Sequence, residues 1–190
     1  MSIPRVALQV FGPRKMPLMP ILRRLLRLLQ IIRGAWTITL VRDPEMIALH
    51  ARTMGIPTTT DVLTFDLREA PRRGKTKPKL RTQNSELRTQ NSELRTSPPL
   101  DLDTVISLDV ARRRARELHH PLGHELLLYC LHSLLHVQGY DDTTPAESER
   151  MHAREDQILI ALGIGPVYAK PKTPQNRKSK FEDRKSRRVP

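Results

Sequence analysis

The sequence predicts a single small α/β domain, and three observations support this. The chain has 190 residues, which suits one domain of ordinary size and is short for two. Segments with helical and strand patterns alternate along much of it, as in domains whose helices pack on a sheet. Its hydrophobic content is 38%, which is low for a compact domain, so part of the chain is expected to stay outside the core.

The first elements alternate between helix and strand. Ile21–Ile32 spaces its apolar residues like an amphipathic helix, with arginines towards the polar side, and is expected to cover a sheet. Trp36–Val41 is rich in β-branched residues and predicts a strand. Asp43–Pro44 predicts a helix start, with the acid as N-cap and the proline at the first helical position, and that helix should run to about Met54 and end at Gly55.

The later elements include the most apolar segment of the chain. Thr60–Leu67 and Asp103–Leu108 predict two further strands, and an arginine-rich helix is expected from Asp109. His124–Gln138 is apolar on almost every side, which indicates a buried helix, and Gly139 is its expected end.

The net charge of +13 comes from two segments, since residues 68–99 carry +6 and residues 170–190 carry +7. The repeated LRTQNSE in the first segment has one apolar position per heptad, too few for a coiled coil. We predict a disordered insertion at 68–99 and a disordered basic tail at 170–190, flanking a domain formed by 1–67 and 100–169. Such segments raise affinity for any polyanion, so the charge does not specify a partner.

A cytoplasmic protein is the expected default. Arginines interrupt the apolar run within residues 1–33, which is shorter than the roughly 20 residues of a membrane span, and no secretory signal is recognised. The lone cysteine, Cys130, permits no intrachain disulfide and is expected to be a buried, inert thiol. An amphipathic helix on a membrane surface is the alternative, and the oligomeric state is left open.

The candidate chemistry lies in and after the buried helix. His132 and His136 are four residues apart, so both imidazoles project from one face, and the following turn presents Asp141 and Asp142. Burying unpaired polar groups costs several kcal/mol, and a divalent cation removes that cost because imidazole and carboxylate are ordinary zinc ligands. The sequence therefore predicts a metal site on His132, His136 and Asp142, with a fourth position open for water.

Two alternatives to this site stay open. The histidines could be core residues that are hydrogen-bonded to backbone or to acids. If a metal is bound, His124 or His152 could replace Asp142 as the third ligand.

LLYCLHSLLHVQGYDD resembles HGxLHLxGYDH, the motif of the YbeY family of metal-dependent endoribonucleases. Similarity extends to TTTDVLTFDL at 58–67, TVISLDVARRRA at 104–115 and ESERMHAREDQILIALG at 147–163. The resemblance implies a small α/β domain with helices packed around a roughly four-stranded mixed sheet, and one divalent metal, usually zinc. It also implies cleavage of single-stranded RNA, in maturation of the 3′ end of small-subunit ribosomal RNA and in ribosome quality control, with that RNA and the ribosomal small subunit as partners.

Two positions depart from the family. Its third metal-binding histidine corresponds to Asp142, a competent zinc ligand that should widen tolerance to other divalent metals. The family usually carries an arginine shortly before the TDVLTF strand, where this chain has Met54. We expect Arg52, two residues earlier, to offset transition-state charge in its place, or activity to be lower. Asp141 is expected to orient water or a ligand, or to support the site structurally.

Two other functions compete with the endoribonuclease. Zinc peptidases built on HExxH use the glutamate after the first histidine as general base, and Ser133 occupies that position here. An RNA-binding ribosome assembly factor that keeps the metal for stability and cleaves nothing is the stronger alternative, because Asp142 and Met54 both favour it.

Overall fold

The computed structural model describes residues 5–12, 18–68 and 99–167. The predicted insertion and tail lie outside the described residues, except for residues 68 and 99 at the ends of the insertion. Nine helices and strands are found in these ranges. In chain order they are β1 (Arg5–Phe11), α1 (Met19–Leu28), β2 (Arg33–Val41), α2 (Asp43–Met54), β3 (Val62–Asp66), β4 (Leu100–Ser107), α3 (Leu108–Glu117), α4 (Leu122–Val137) and α5 (Pro145–Ala161).

The four described strands form one mixed sheet in the order β1-β2-β4-β3. β1, β2 and β4 run parallel, and β3 joins the edge antiparallel to β4. β2 and β4 approach closely at Gly34, where φ is +131° and an added Cβ would lie 2.0 Å from the Leu100 carbonyl oxygen. The predicted small α/β domain with a four-stranded mixed sheet is confirmed.

The core lies between this sheet and the helices. Alternate residues of β2 are buried, and the Trp36 indole Nε1 donates to Thr104 Oγ1 of β4 over 2.9 Å. The buried residues of β2 share one apolar cluster with leucines of α1 and α4, and each fully buried leucine contributes roughly 1.5–3 kcal/mol. The predicted polar side of α1 is exposed. Its arginines are Arg23, Arg24 and Arg27.

Helix α4 is buried along most of its length, as predicted, and two contacts fix it to β3. Thr64 Oγ1 donates to Ser133 Oγ over 2.9 Å, and Ser133 Oγ donates to the Tyr129 carbonyl oxygen over 3.1 Å. Arg68, which follows β3, donates to the Val137 carbonyl oxygen at the end of α4 over 2.8 Å. Across the described ranges, neither α4 nor any other helix is long and apolar enough to span a membrane.

Some boundaries differ from the sequence predictions. The N-cap of α2 is Arg42 rather than Asp43, because the Arg42 N–H is satisfied by Glu45 in a capping box. Helix α1 begins earlier and ends at Leu28, four residues before its predicted end, and the chain turns at Gln30, where φ is +56°. Strand β1 and helix α5 were not predicted as elements from residue patterns.

Candidate metal centre

His132, His136 and Asp142 come together at the C-terminal end of α4. The two Nε2 atoms are 3.0 Å apart, and the Asp142 carboxylate oxygens lie 3.6 Å from His132 Nε2 and 3.9 Å from His136 Nε2. One donor atom from each residue lies within 4.8 Å of the others, so the group could hold a metal ion. The Asp142 side chain is 40% exposed, so the group opens to solvent on that side.

The other nitrogen of each imidazole has its own partner. His132 Nδ1 lies 2.9 Å from Glu155 Oε1, and His136 Nδ1 lies 3.2 Å from the Tyr140 carbonyl oxygen. Both partners are acceptors, so each Nδ1 is the protonated, donating nitrogen. Each Nε2 is then left with a free lone pair, which is the form of histidine that binds metals.

This arrangement fits a divalent cation. Two bare Nε2 lone pairs at 3.0 Å repel each other, whereas two imidazole nitrogens bound to one tetrahedral zinc ion lie about 3.4 Å apart, given Zn–N distances of about 2.1 Å. The third donor is a carboxylate within reach of both nitrogens. Three protein donors with an open side are the donor set of a catalytic zinc site.

The electrostatic surroundings favour positive charge at this point. Burial by itself lowers the pKa of His132, but the hydrogen bond to Glu155 and the negative charges of Glu155, Asp142 and Asp61 outweigh it and raise the pKa above its ordinary value. The same carboxylates would favour a bound cation, and the buried Glu155 is the one that solvent screens least.

Glu155 is the site residue that sequence reasoning missed. It lies on α5, is completely buried, and leaves its Oε2 without a hydrogen-bond partner. A buried carboxylate hydrogen-bonded to a metal-binding histidine fixes the ring orientation and the tautomer. The sequence signal was helical spacing, because Glu155 lies four residues after Met151 and three and four residues before Ile158 and Leu159, all of which α5 buries.

The other predicted site residues lie outside this group. Asp141 Oδ1 accepts from the Asp142 N–H over 2.8 Å, a contact that shapes the loop. Arg52 is exposed near the C-terminal end of α2, and Met54 is 63% exposed one half-turn later. Neither has a described side-chain contact with the metal-binding group.

The structure also bears on the alternative ligands and on the peptidase alternative. Among the described residues, the group that could hold a metal contains Asp142 and neither His124 nor His152. Ser133 is fully buried and hydrogen-bonded to β3 and to its own helix, so no general base of the peptidase type follows His132. Cys130 is fully buried, and burial raises the pKa of its thiol, as expected for an inert residue.

Comparisons with known proteins agree with the resemblance in the sequence. The family model described as "Endoribonuclease YbeY" matches residues 21–163, well over half of the chain. A relative named "Endoribonuclease YbeY" from Anaeromyxobacter sp. (strain Fw109-5) is 37% identical over 67% of this chain and 54% of its own length. One of the same name from Moorella thermoacetica is 31% identical over 67% and 72%, respectively.

The solution structure of TM1509 from Thermotoga maritima has a TM-score of 0.48 at 19% identity, over 90% of this chain and 99% of that one, too distant to add to these matches. The chain spans only about half the length of the Anaeromyxobacter relative. The match of the family model to residues 21–163 shows that this chain belongs to the YbeY family.

Proposed function

We propose that this protein is a metal-dependent endoribonuclease that cleaves single-stranded RNA. The observation that carries the proposal is the convergence of His132, His136 and Asp142 in a chain of the YbeY family. The names of its relatives supply the RNA substrate and the internal cleavage. Zinc is the proposed ion, because two imidazoles and one carboxylate are a donor set that it commonly takes.

The residues of this chain have distinct roles in the proposed reaction. A divalent cation at this position supplies Lewis acidity, which polarises a phosphoryl oxygen and lowers the pKa of a water. His132, His136 and Asp142 would hold it, and Glu155 would keep His132 oriented through Nδ1.

Outside the metal-binding group, two residues have proposed roles in the reaction. Asp141 shapes the loop that carries Asp142 and is close enough in sequence to orient a water. Arg52 is proposed to offset the negative charge that develops on the phosphate. Arg52 lies near the end of α2, and residues 55–61 connect that helix to Asp61, whose negative charge acts on His132. This short connection supports a role for Arg52 near the proposed metal.

The biological substrate is proposed from the family. We infer that the RNA is ribosomal, that cleavage matures the 3′ end of the small-subunit RNA, and that the protein acts with the small subunit in the cytoplasm and in ribosome quality control. Tyr140 and the loop around Asp142 are exposed, so a single strand could approach the open side of the group.

The test compares two half-buried histidines of α4. His136→Ala should abolish divalent-metal-dependent cleavage of a labelled single-stranded RNA, whereas His124→Ala should retain it, and DNA of the same sequence should stay intact. Denaturing gels over time are the measurement. Equal cleavage by wild type and His136→Ala would mean that the activity comes from elsewhere.

A non-cleaving RNA-binding assembly factor is the second candidate, and Met54 at the family's arginine position favours it. In that case wild type would bind RNA but cleave no faster than His132→Ala/His136→Ala with any of several divalent metals. If wild type cleaved slowly and Met54→Arg cleaved faster, the result would instead support the nuclease and attribute the low rate to the missing arginine.

A further inference from the structure

A second feature lies at the other end of α4, where α3 turns into it. A concavity with a volume of about 480 Å³ opens there. Four of its six lining residues are basic or can become so, and no acid lines it. The lining consists of Arg112, Ala115, Arg116, His119, His120 and Leu122.

The positive charge of this basic concavity is only partly neutralised. Arg116 and His119 are exposed and, within the described part of the chain, their side chains form no hydrogen bond or ion pair. Arg112 lies 3.3 Å from Asp109, but Arg42 binds the same carboxylate at the shorter distance of 2.8 Å. The concavity therefore has cationic groups available to an anionic ligand, although residues 101–169 as a whole carry −5.

A buried carboxylate holds one wall in place. His120 Nε2 lies 2.9 Å from Glu125 Oε2, and these side chains are 19% and 3% exposed. Tyr129 donates to the same carboxylate, which together with burial raises the pKa of the Tyr129 hydroxyl. His120 Nδ1 also lies 3.2 Å from the Pro121 carbonyl oxygen, so neighbouring groups contact both ring nitrogens and hold this wall of the concavity in place.

The concavity lies at the N-terminal end of α4 and the candidate metal centre at its C-terminal end, and the helical face between them is buried at Glu125 and Tyr129. Glu125, Tyr129, His132 and His136 follow one another at intervals of four, three and four residues, which places them on one helical face. His120 adjoins the first of them. Leu122, at the start of the helix, precedes His132 by ten residues, or about 15 Å along the axis. A few nucleotides of extended single strand cover that distance.

We propose that the basic concavity binds backbone phosphates of the single-stranded RNA that flanks the scissile bond. This rests on the proposed function for the choice of ligand. Arginine forks suit phosphate oxygens, and the apolar lining is limited to Ala115 and Leu122, which gives little to anchor a folded protein. Arg116 is the key contact, since its guanidinium has no competing partner in the part of the chain that the structure describes.

Arg116→Glu and Arg23→Glu form a matched pair for the test. Each removes an exposed helical arginine whose side chain has no described partner, one in the concavity and one on α1. Fluorescence anisotropy would measure the Kd of a labelled single-stranded RNA of about 12 nucleotides, made with phosphorothioate linkages that resist cleavage. Thermal melts would confirm that both variants fold.

We expect Arg116→Glu to raise Kd about tenfold at low salt, and to reduce the slope of log Kd against log salt by about 0.7 or more. Arg23→Glu should change Kd less than about twofold, and Arg116→Lys should raise Kd less than Arg116→Glu, because it keeps the charge but loses the guanidinium fork. Equal effects of the two glutamate variants would overturn the proposal. The proposal would also be overturned if Arg116→Glu weakened the binding of polyglutamate but not of RNA, because that result would indicate an acidic protein partner.

The binding measurement is independent of catalysis. If cleavage depended on His136 but RNA binding did not change in Arg116→Glu, the proposed role of the basic concavity would be wrong and the proposed nuclease activity would stand. Arg116-dependent binding without cleavage would overturn the nuclease alone.

Discussion

The two ends of α4 each combine histidine with a buried glutamate, but among the described residues only the C-terminal end forms a group that could hold a metal ion. At the C-terminal end, Glu155 bonds Nδ1 of His132 and leaves Nε2 free to face His136 and Asp142. At the N-terminal end, Glu125 lies against Nε2 of His120 itself. A histidine beside a buried acid is therefore not sufficient, because the group that could hold a cation also needs donors from His136 and Asp142 that converge with His132 Nε2.

The largest expected effect is on Asp142, since the C-terminal end has three donors only through it. Asp142→Asn replaces a charged donor with a poor zinc ligand and should weaken zinc binding at least about 100-fold, measured by competition with a chromophoric chelator. Asp142→His restores the family's pattern and should retain zinc. Asp141→Asn, a change in the same loop, is the control. If Asp141→Asn lost zinc and Asp142→Asn retained it, the assignment of Asp142 as the ligand would be wrong.

The two glutamates give a matched test of the comparison itself. Both are buried and lie next to a histidine, so Glu155→Gln and Glu125→Gln should cost similar folding stability. Only Glu155→Gln removes the charge that supports a proposed ligand, and it should weaken zinc binding about 10–100-fold. Comparable losses in both variants would show that general destabilisation, not orientation of His132, is responsible.

A smaller effect is expected where α3 is attached to α2. Arg113 holds the pKa of Asp43 below its usual value, aided by Ser107 and Thr59 and opposed by partial burial. Asp43→Asn should lower the Tm by about 2–4 °C at pH 7 and leave zinc binding unchanged, because the contact lies away from the C-terminal end of α4.

The pH dependence of that difference has a defined sign. A carboxylate whose pKa is depressed on folding stabilises the protein above its unfolded pKa of about 3.9, and the contribution is lost as pH falls below that value. The Tm values of wild type and Asp43→Asn should therefore converge below about pH 4. A difference in Tm that persists below about pH 4 would mean that the effect comes from packing and not from charge.

The convergence of His132, His136 and Asp142 could be predicted from the sequence because most of the group is local. His132 and His136 are one helical turn apart, and Asp142 follows after a short turn. Glu155 could not be predicted, since its contact depends on how α5 docks against α4. The acids that α5 buries, Glu155 and Asp156, also weaken the apolar periodicity that would have identified it as a core helix.

The same reasoning explains the fold. Buried segments such as α4 and β2 have strong patterns, and their existence was predicted correctly. Strand β1 is half-exposed and is defined mainly by its pairing with β2, a non-local contact that no residue pattern encodes. Its neighbour α1 ends at Leu28 because the chain must turn there to enter β2, although apolar residues continue to Ile32.

The most direct test of the metal centre is the metal content of purified protein with two histidines removed from one end of α4 or the other. Wild type and His120→Ala/His124→Ala should each carry about one equivalent of zinc or another divalent ion, determined by mass spectrometry of the elements. His132→Ala/His136→Ala should carry less than about a tenth. Full occupancy in that variant, or a loss confined to His120→Ala/His124→Ala, would contradict the assignment of the metal to the C-terminal end.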